Sequence, residues 1–348
     1  MSTIILTGGG TAGHCTPHLA ILPELKKKFD KIYYIGSFNG VEKEIISKTG
    51  IPYYSISTAK FRRNLSLKNL TIPYSVIKGI IEAKRIIREL KPNVIFSKGG
   101  FVSVPTVIAG AKLKIPIVAH ESDLTVGLAN KISARYCDKV LTCFEETASS
   151  LKNGLYLGAP VRKSLFLPRS DEILSSFGFK NKLPVLLVTG GSLGAKAIND
   201  TLREALPIIL SKYNVIHLCG KGNLVDCKYN GYYQKEFMHD VERAFSVADV
   251  CVSRAGSNTL FELLALKKNC LLIPLPKRAS RGDQILNANY FYKRGLINVL
   301  EQDKLTKETL IEAIDKTYKN RFNFQKKFLE NPFLDKSPDI ARILFDYV

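Results

Sequence analysis

Two stretches of the sequence hold residue types at spacings that do chemistry. The first is residues 253–287, SRAGSNTLFELLALKKNCLLIPLPKRASRGDQILN. The small residues after Gly256 open a helix, and the amides and positive dipole end of its first turn suit an anionic group such as a diphosphate. Gly256 is expected to take a positive φ in the turn before it. Thr259 and Glu262 have the spacing of a capping box. Glu262 has a second use, turned outward to accept hydrogen bonds from sugar hydroxyls. The second stretch is TGGGTAGHC, residues 7–15, where Gly8, Gly10 and Gly13 satisfy G-x-G-x-x-G between a strand and a helix. An imidazole titrates near neutral pH, so His14, just past this loop, is a candidate general base. Its alternative is to cap or pack the loop. His18, read as i+4 on the same helix, is expected to be structural.

The G-x-G-x-x-G pattern of dinucleotide sites also wants an acid about twenty residues on, at the end of the second strand. Here that strand, KIYYIG, ends in Gly36-Ser37-Phe38. Dinucleotide binding is therefore set aside, and a glycine loop that approaches another substrate is expected. No acidic pair of the D-x-D kind stands at a strand end, so no metal site is implied. The seven cysteines form no C-x-x-C pair, which points to reduced thiols, with neither disulfides nor zinc.

The elements that must position these residues follow from the hydrophobic pattern. IILT, KIYYIG, PYYSIS, NVIFSKGG and IPIVAHES are short β-rich segments separated by helical ones, which predicts α/β architecture with a parallel sheet covered on both faces. Residues 74–90 carry a helical stripe through Val76, Ile80, Ala83, Ile87 and Leu90, expected to face the core. GAPVRKSLFLPRS and the turn Asn181–Pro184 read as a linker. At Pro184 the plan starts again, PVLLVTGGSLGAKAINDTL echoing TIILTGGGTAGHCTPHLAI. Two such starts, about 180 residues apart, predict two similar α/β domains facing each other. Their expected bounds are 1–161 and 162–330, with a helix in 331–348 packing back on the first.

The chain has 348 residues, 45% hydrophobic and 24% charged, enough for two globular domains. No run approaches the ~18 apolar residues of a membrane span. Met1-Ser2-Thr3 leads straight into a strand, so no signal peptide is expected and a cytoplasmic setting is. The outlier is charge: 51 basic against 31 acidic residues, net +20. Nucleic acid, an anionic membrane surface or phosphorylated small molecules would each draw such a balance. No nucleic-acid motif is visible and aromatics do not interleave with the basic clusters, so nucleic acid is set aside. Residues 60–91 hold nine basic residues (Lys60, Arg62, Arg63, Lys68, Lys78, Lys84, Arg85, Arg88, Lys91) against Glu82 and Glu89. Leu65, Leu67, Leu70 and Ile72 lie among them. Apolar residues inside a basic rim suit an anionic lipid surface; a solvated basic face over an ordinary loop is the alternative.

TGGGTAGHCTPHLA, SKGGFVSVP, HESDLTVGLANK, GAPVR, TGGSLGA, SRAGSNTLFE and DQILNA, in this order from Thr7 to Ala288, closely resemble the MurG family of bacterial N-acetylglucosaminyltransferases. The resemblance implies a GT-B fold, two Rossmann-like domains with parallel sheets facing across a cleft. It implies UDP-N-acetylglucosamine as donor and, as acceptor, the C4 hydroxyl of the muramoyl-pentapeptide of lipid I, carried on undecaprenyl pyrophosphate. The transfer inverts, forms lipid II for peptidoglycan, and uses no cofactor and no active-site metal. The enzyme would be peripheral, on the cytoplasmic face of the cell membrane.

The resemblance also implies roles for particular residues. Ser192, Arg162 and Met238 match donor-binding positions, the last through backbone bordering the uracil. The run Ser257, Asn258, Thr259, Leu260, Phe261 and Glu262 would hold the diphosphate and, at Glu262, the ribose. Gln284 would reach the donor sugar, while Thr11, Ala12 and Gly13 close over the reacting centre. Asp123 would touch the donor's N-acetylglucosamine or the acceptor, and shares with Glu121 the alternatives to His14 as base. Gly99, Gly100 and Phe101, together with the first glycine loop, would present backbone N–H groups to the acceptor pyrophosphate. Arg62, Arg63, Leu65, Leu67, Lys68, Leu70 and Ile72 would touch the membrane. Two positions depart from the family pattern: Ala12 replaces a glycine, and HESD replaces HEQN, so Asp123 brings a carboxyl group where an amide is usual. Rival readings are a GT-B transferase acting on diacylglycerol, a UDP-N-acetylglucosamine 2-epimerase, and a non-catalytic protein binding a UDP-sugar or phospholipid.

Overall fold

A computed structural model of the chain describes residues 1–59, 72–191 and 193–348. Two compact units emerge from its packing, Met1–Arg162 with Asp335–Val348, and Lys163–Leu334. The expected bounds of 161/162 and 330/331 thus shift to 162/163 and 334/335. The reason is local: Asp335 Oδ1 accepts from the amides of Val161 and Ser337, each at 2.8 Å, which ties the returning chain into the first unit.

The first unit has strands β1 (Thr3–Thr7), β2 (Lys31–Ser37), β3 (Tyr53–Ile56), β4 (Val94–Ser97), β5 (Ile117–Glu121), β6 (Lys139–Thr142) and β7 (Gly154–Tyr156). They form one sheet in the order β3-β2-β1-β4-β5-β6-β7, every pair parallel. Strands of a parallel sheet covered on both faces read as apolar runs, and β1, β4 and β5 are buried along their whole length. Alternation still sorts their side chains. Ile4 and Leu6 pack beneath the helix Thr16–Leu25 and the C-terminal helix Ser337–Phe345, through Ile21, Ile340 and Leu344. Ile5 faces the other way, toward Ala83, Ile87 and Val107. In the helix Ile72–Leu90, Ala83 and Ile87 are buried as the stripe requires, while Val76, Ile80 and Leu90 are half-buried.

The second unit repeats the plan with β8 (Val185–Thr189), β9 (Asn214–Leu218), β10 (Tyr232–Lys235), β11 (Val250–Ser253), β12 (Cys270–Leu272) and β13 (Asn298–Val299). Their order is β10-β9-β8-β11-β12-β13, again all parallel. The amphipathic helix Lys196–Ile209 buries Ile198, Leu202, Leu206 and Ile209 against Leu186, Val188 and Val252. Both units are Rossmann-like. Among the described residues no helix is long and apolar enough to cross a membrane.

Candidate active site

In an open parallel sheet, ligands gather beyond the carboxyl ends of the strands where the strand order reverses. In the first unit that point lies between β1 and β4, and the two loops there are locked together. Lys98 N donates to Thr7 O at 2.9 Å and Gly9 N to Gly99 O at 3.3 Å. Gly100 has φ 78°; a Cβ there would collide with Gly9 O and lie 2.9 Å from His14 Cδ2, and a Cβ at Gly10 would run into the Phe101 ring. The structure therefore brings together Gly99, Gly100 and Phe101 with the loop that ends in His14. Gly99 N donates to Ser97 Oγ at 3.3 Å, so Gly100 and Phe101 supply the remaining amides of this turn.

His14 closes a short 3-10 turn, Ala12–His14, and the α-helix starts only at Thr16. His14 and His18 are therefore not on one helix, contrary to the sequence reading, because Cys15 leaves the 3-10 turn before the α-helical ladder begins. Thr11 is exposed with extended backbone, and His14 N donates to Thr11 O at 3.1 Å. Ala12, Gly13 and His14 are half-buried. His18 is buried, which pushes its pKa down to about 3, with Lys98 and His14 adding to the shift.

Glu121 ends β5, and its carboxyl group is consumed by the loop that follows. One oxygen accepts from Asp123 N at 3.0 Å; the other accepts from Gly127 N at 2.9 Å and Asn130 Nδ2 at 3.0 Å. Burial, followed by neighbouring Asp123, raises its pKa. Glu121 braces the loop: it is buried, and both of its oxygens already accept from loop residues. Asp123 is half-exposed at the head of the same loop. Lys98 joins that loop to the first two, its Nζ meeting His120 Nδ1 at 2.8 Å and Ser122 Oγ. Burial lowers the Lys98 pKa, and Cys143, Glu121 and Asp123 act against that shift. The sequence reading passed over Lys98 although it stands inside SKGGF, since nothing in the motif shows a lysine turning inward.

In the second unit the strand order reverses between β8 and β11. The helix Ser257–Ala265 follows β11, so its first-turn amides point outward at the carboxyl end of the sheet. Two expectations change here. Gly256 is the N-cap with φ −65° and ψ 134°, not a positive φ, and no side chain caps the helix. Thr259 lies inside the first turn, too late to cap, so the capping-box reading fails. No close approach requires the glycine either, since a Cβ at Gly256 would meet nothing within 4 Å. Leu260 and Phe261 are core residues, Phe261 meeting the Phe291 ring edge-on at 5.6 Å. Leu260 N donates to Gly256 O at 2.9 Å, so neither the side chain nor the amide of Leu260 is offered to a ligand. Ser257, Asn258, Thr259 and Glu262 are half-buried at the helix's open end.

Gln284, in the helix Asp283–Tyr292, accepts from Leu275 N at 3.0 Å through its amide oxygen. Met238 is buried in the loop after β10, and Arg162 ends the first unit, half-buried. Ser192 lies outside the described residues, as do Arg62, Arg63, Leu65, Leu67, Lys68 and Leu70. Ile72 opens the helix Ile72–Leu90. Among the described residues no three His, Cys, Asp or Glu side chains come together as a metal site.

Two Rossmann-like units with glycine-bounded loops at their switch points are an architecture that hosts several chemistries, and the family models narrow it to the glycosyltransferases. Residues 4–142 match the glycosyltransferase family 28 N-terminal domain and residues 185–342 the glycosyltransferase family 28 C-terminal domain. The curated relatives are UDP-N-acetylglucosamine–N-acetylmuramyl-(pentapeptide) pyrophosphoryl-undecaprenol N-acetylglucosamine transferases. One from Clostridium tetani is 45% identical, over 99% of this chain and 98% of its own. Another from Clostridium perfringens is 49% identical over 99% and 97%, and one from Bacillus cereus 50% identical over 92% of each. The chain belongs to this family, MurG. Among solved structures, MurG of Acinetobacter baumannii superposes with TM-score 0.77 at 23% identity, covering 99% of this chain and 100% of that one. MnaA of S. aureus with UDP has TM-score 0.70 at 12% identity, covering 100% and 98%. At these identities the two share the fold.

Proposed function

We propose that the chain transfers N-acetylglucosamine from UDP-N-acetylglucosamine, with inversion, to the C4 hydroxyl of the muramoyl-pentapeptide of lipid I, yielding lipid II. The observation that carries this reading is the identity of 45–50% to N-acetylglucosamine transferases of that acceptor, over nearly the whole chain. The acceptor oxygen attacks the anomeric carbon, the bond to UDP breaks, and the hydroxyl proton passes to His14. The leaving diphosphate is met by the amide end of the helix Ser257–Ala265, a preorganised set of dipoles. Glu262 takes the ribose, the Gln284 NH2 the donor sugar, and Arg162, Ser192 and the Met238 backbone the rest of the donor. Thr11, Ala12 and Gly13 border the reacting centre, and Asp123 binds donor sugar or acceptor. The amides of Gly100 and Phe101 meet the acceptor pyrophosphate.

The acceptor's lipid places the enzyme at the cytoplasmic face of the membrane, held there peripherally. Along one face of the helix Ile72–Leu90, Tyr74, Ile77 and Ile81 are 71%, 58% and 65% exposed, and Lys78, Arg85 and Arg88 are exposed beside them. Leu128, Ile132 and Tyr136 are exposed in a second segment with Lys131 and Arg135. Apolar residues set among cations are what an anionic leaflet attracts.

The test is UDP release from UDP-N-acetylglucosamine with a lipid I analogue and, separately, with diacylglycerol. Turnover with the analogue alone is expected. His14→Ala should lower kcat by about 10²–10⁴-fold, the contribution of a general base, with KM for the donor little changed. Turnover with diacylglycerol, or UDP release without acceptor, overturns the acceptor assignment; an undiminished His14→Ala rate overturns the base.

A further inference from the structure

The helix Val41–Ser47 follows β2, and its Glu42 is completely buried. The carboxyl group is turned away from solvent into the first glycine loop. One oxygen accepts from Gly10 N at 3.1 Å; the other accepts from Ser37 N at 3.1 Å and from Ser37 Oγ. All three of these bonds are donated to the carboxyl group. Two glycines make the room. A Cβ at Gly9 would lie 2.6 Å from Glu42 Cδ, and a Cβ at Gly40 would collide with the carboxyl oxygens.

In dinucleotide-binding loops the second glycine of G-x-G-x-x-G is where backbone approaches the pyrophosphate. Here the second glycine is Gly10, and its amide is given to Glu42. We propose that Glu42 is a positioning residue of this enzyme: it fills from within the anion seat of the first glycine loop, closes that seat to phosphate, and fixes the turn carrying Thr11–His14. This rests on the reading that His14 and the loop serve the transfer. It also assigns the acceptor pyrophosphate to the Gly100–Phe101 side rather than to the loop itself. The acid wanted by the dinucleotide pattern is thus present, but five residues beyond the strand end and pointed inward, where it excludes the ligand that the pattern announces.

The test is Glu42→Gln, nearly identical in shape. An amide offers one acceptor oxygen; kept toward the two Ser37 donors, it sets its NH2 against the Gly10 N–H, so the tether to the loop is lost. Hydrogen exchange is expected to quicken by about tenfold or more in residues 8–14, with β1 and β2 unchanged. kcat with the lipid I analogue should fall by about 100-fold, as for a misplaced catalytic group, with KM for UDP-N-acetylglucosamine within about twofold. Unchanged exchange in residues 8–14, or a wild-type kcat despite faster exchange, overturns the proposal. So does a loss of activity matched by a general loss of protection across the first unit, which marks Glu42 as mere core. A wild-type chain inert toward the analogue overturns the reading of function instead, and the exchange comparison still decides whether Glu42 holds the loop.

Discussion

Lys98 Nζ stands 2.8 Å from His120 Nδ1, with both side chains buried. The ammonium has only N–H groups to give, so Nδ1 accepts. The ring proton is thereby placed on Nε2, which donates to Gly158 O at 3.0 Å. His120 is locked as one neutral tautomer; burial first, then Lys98, hold its pKa well below the usual value. Beneath the loop of Asp123, Lys98 is thus held by an imidazole and a hydroxyl.

This arrangement predicts a stability that falls in mild acid. His18 and His120 in the first unit and His217 in the second are all buried with lowered pKa, His18 and His217 to about 3. The unfolded chain takes up protons near pH 6.5 and the folded chain does not, so their contribution is complete above that pH. It is lost as pH falls from about 6.5 toward the folded values, at roughly 1.4 kcal/mol per pH unit for each histidine. Thermal melts from pH 7.5 to 5 should show a steady decline beginning near pH 6.5. A flat melting temperature over that range would refute the neutral buried state.

Gly100→Ala tests the joint between the two loops of the first unit. The new methyl meets Gly9 O at a backbone with φ 78°, and neither side is a flexible chain end. A destabilisation of about 1–3 kcal/mol is expected. Because the displaced partners are Gly9 and His14, kcat should fall more than stability does. Denaturant titration beside initial rates checks both, and a fully active Gly100→Ala would dissolve the joint.

The donor helix separates core from site. Leu260→Ala should cost about 2–5 kcal/mol of stability, as in other cores, with an unaltered donor KM in the folded fraction. Gln284→Ala should instead cost only about 1 kcal/mol, the lost bond to Leu275 N, and raise the donor KM by about tenfold, one hydrogen bond's worth. Reversal of these two patterns would show that Leu260 meets the donor.

Arg85 and Arg88 lie on the exposed face that carries Ile77 and Ile81. Replacing both by Gln should weaken partitioning onto acidic vesicles by about 30-fold at low salt, at ~1 kcal/mol for each basic residue near an anionic surface. The difference should shrink as salt rises. Vesicle binding that ignores lipid charge would count against an electrostatic component.

Much of this was legible before any coordinates. Parallel strands buried on both faces write themselves as IILT, NVIF and IPIV, and the glycine turns after β1 and β8 mark where each unit begins. The same motifs that carry the family resemblance supply His14, Asp123 and Gln284. Less legible was which members of a motif face a ligand. SNTLFE reads as one run, yet Leu260 and Phe261 turn into the core while Glu262 does not, because a helix passes successive residues to different faces.

By itself, then, the sequence determined the two-unit α/β plan, the family and the loops that matter, since these rest on local periodicity and on motif order. Tertiary structure alone decided that Glu42 fills the first glycine loop, that Lys98 turns inward to His120, and that Glu121 is spent on its own loop. A buried charge is tolerable only where donors and acceptors from distant strands converge on it, and such convergence has no signature along the chain.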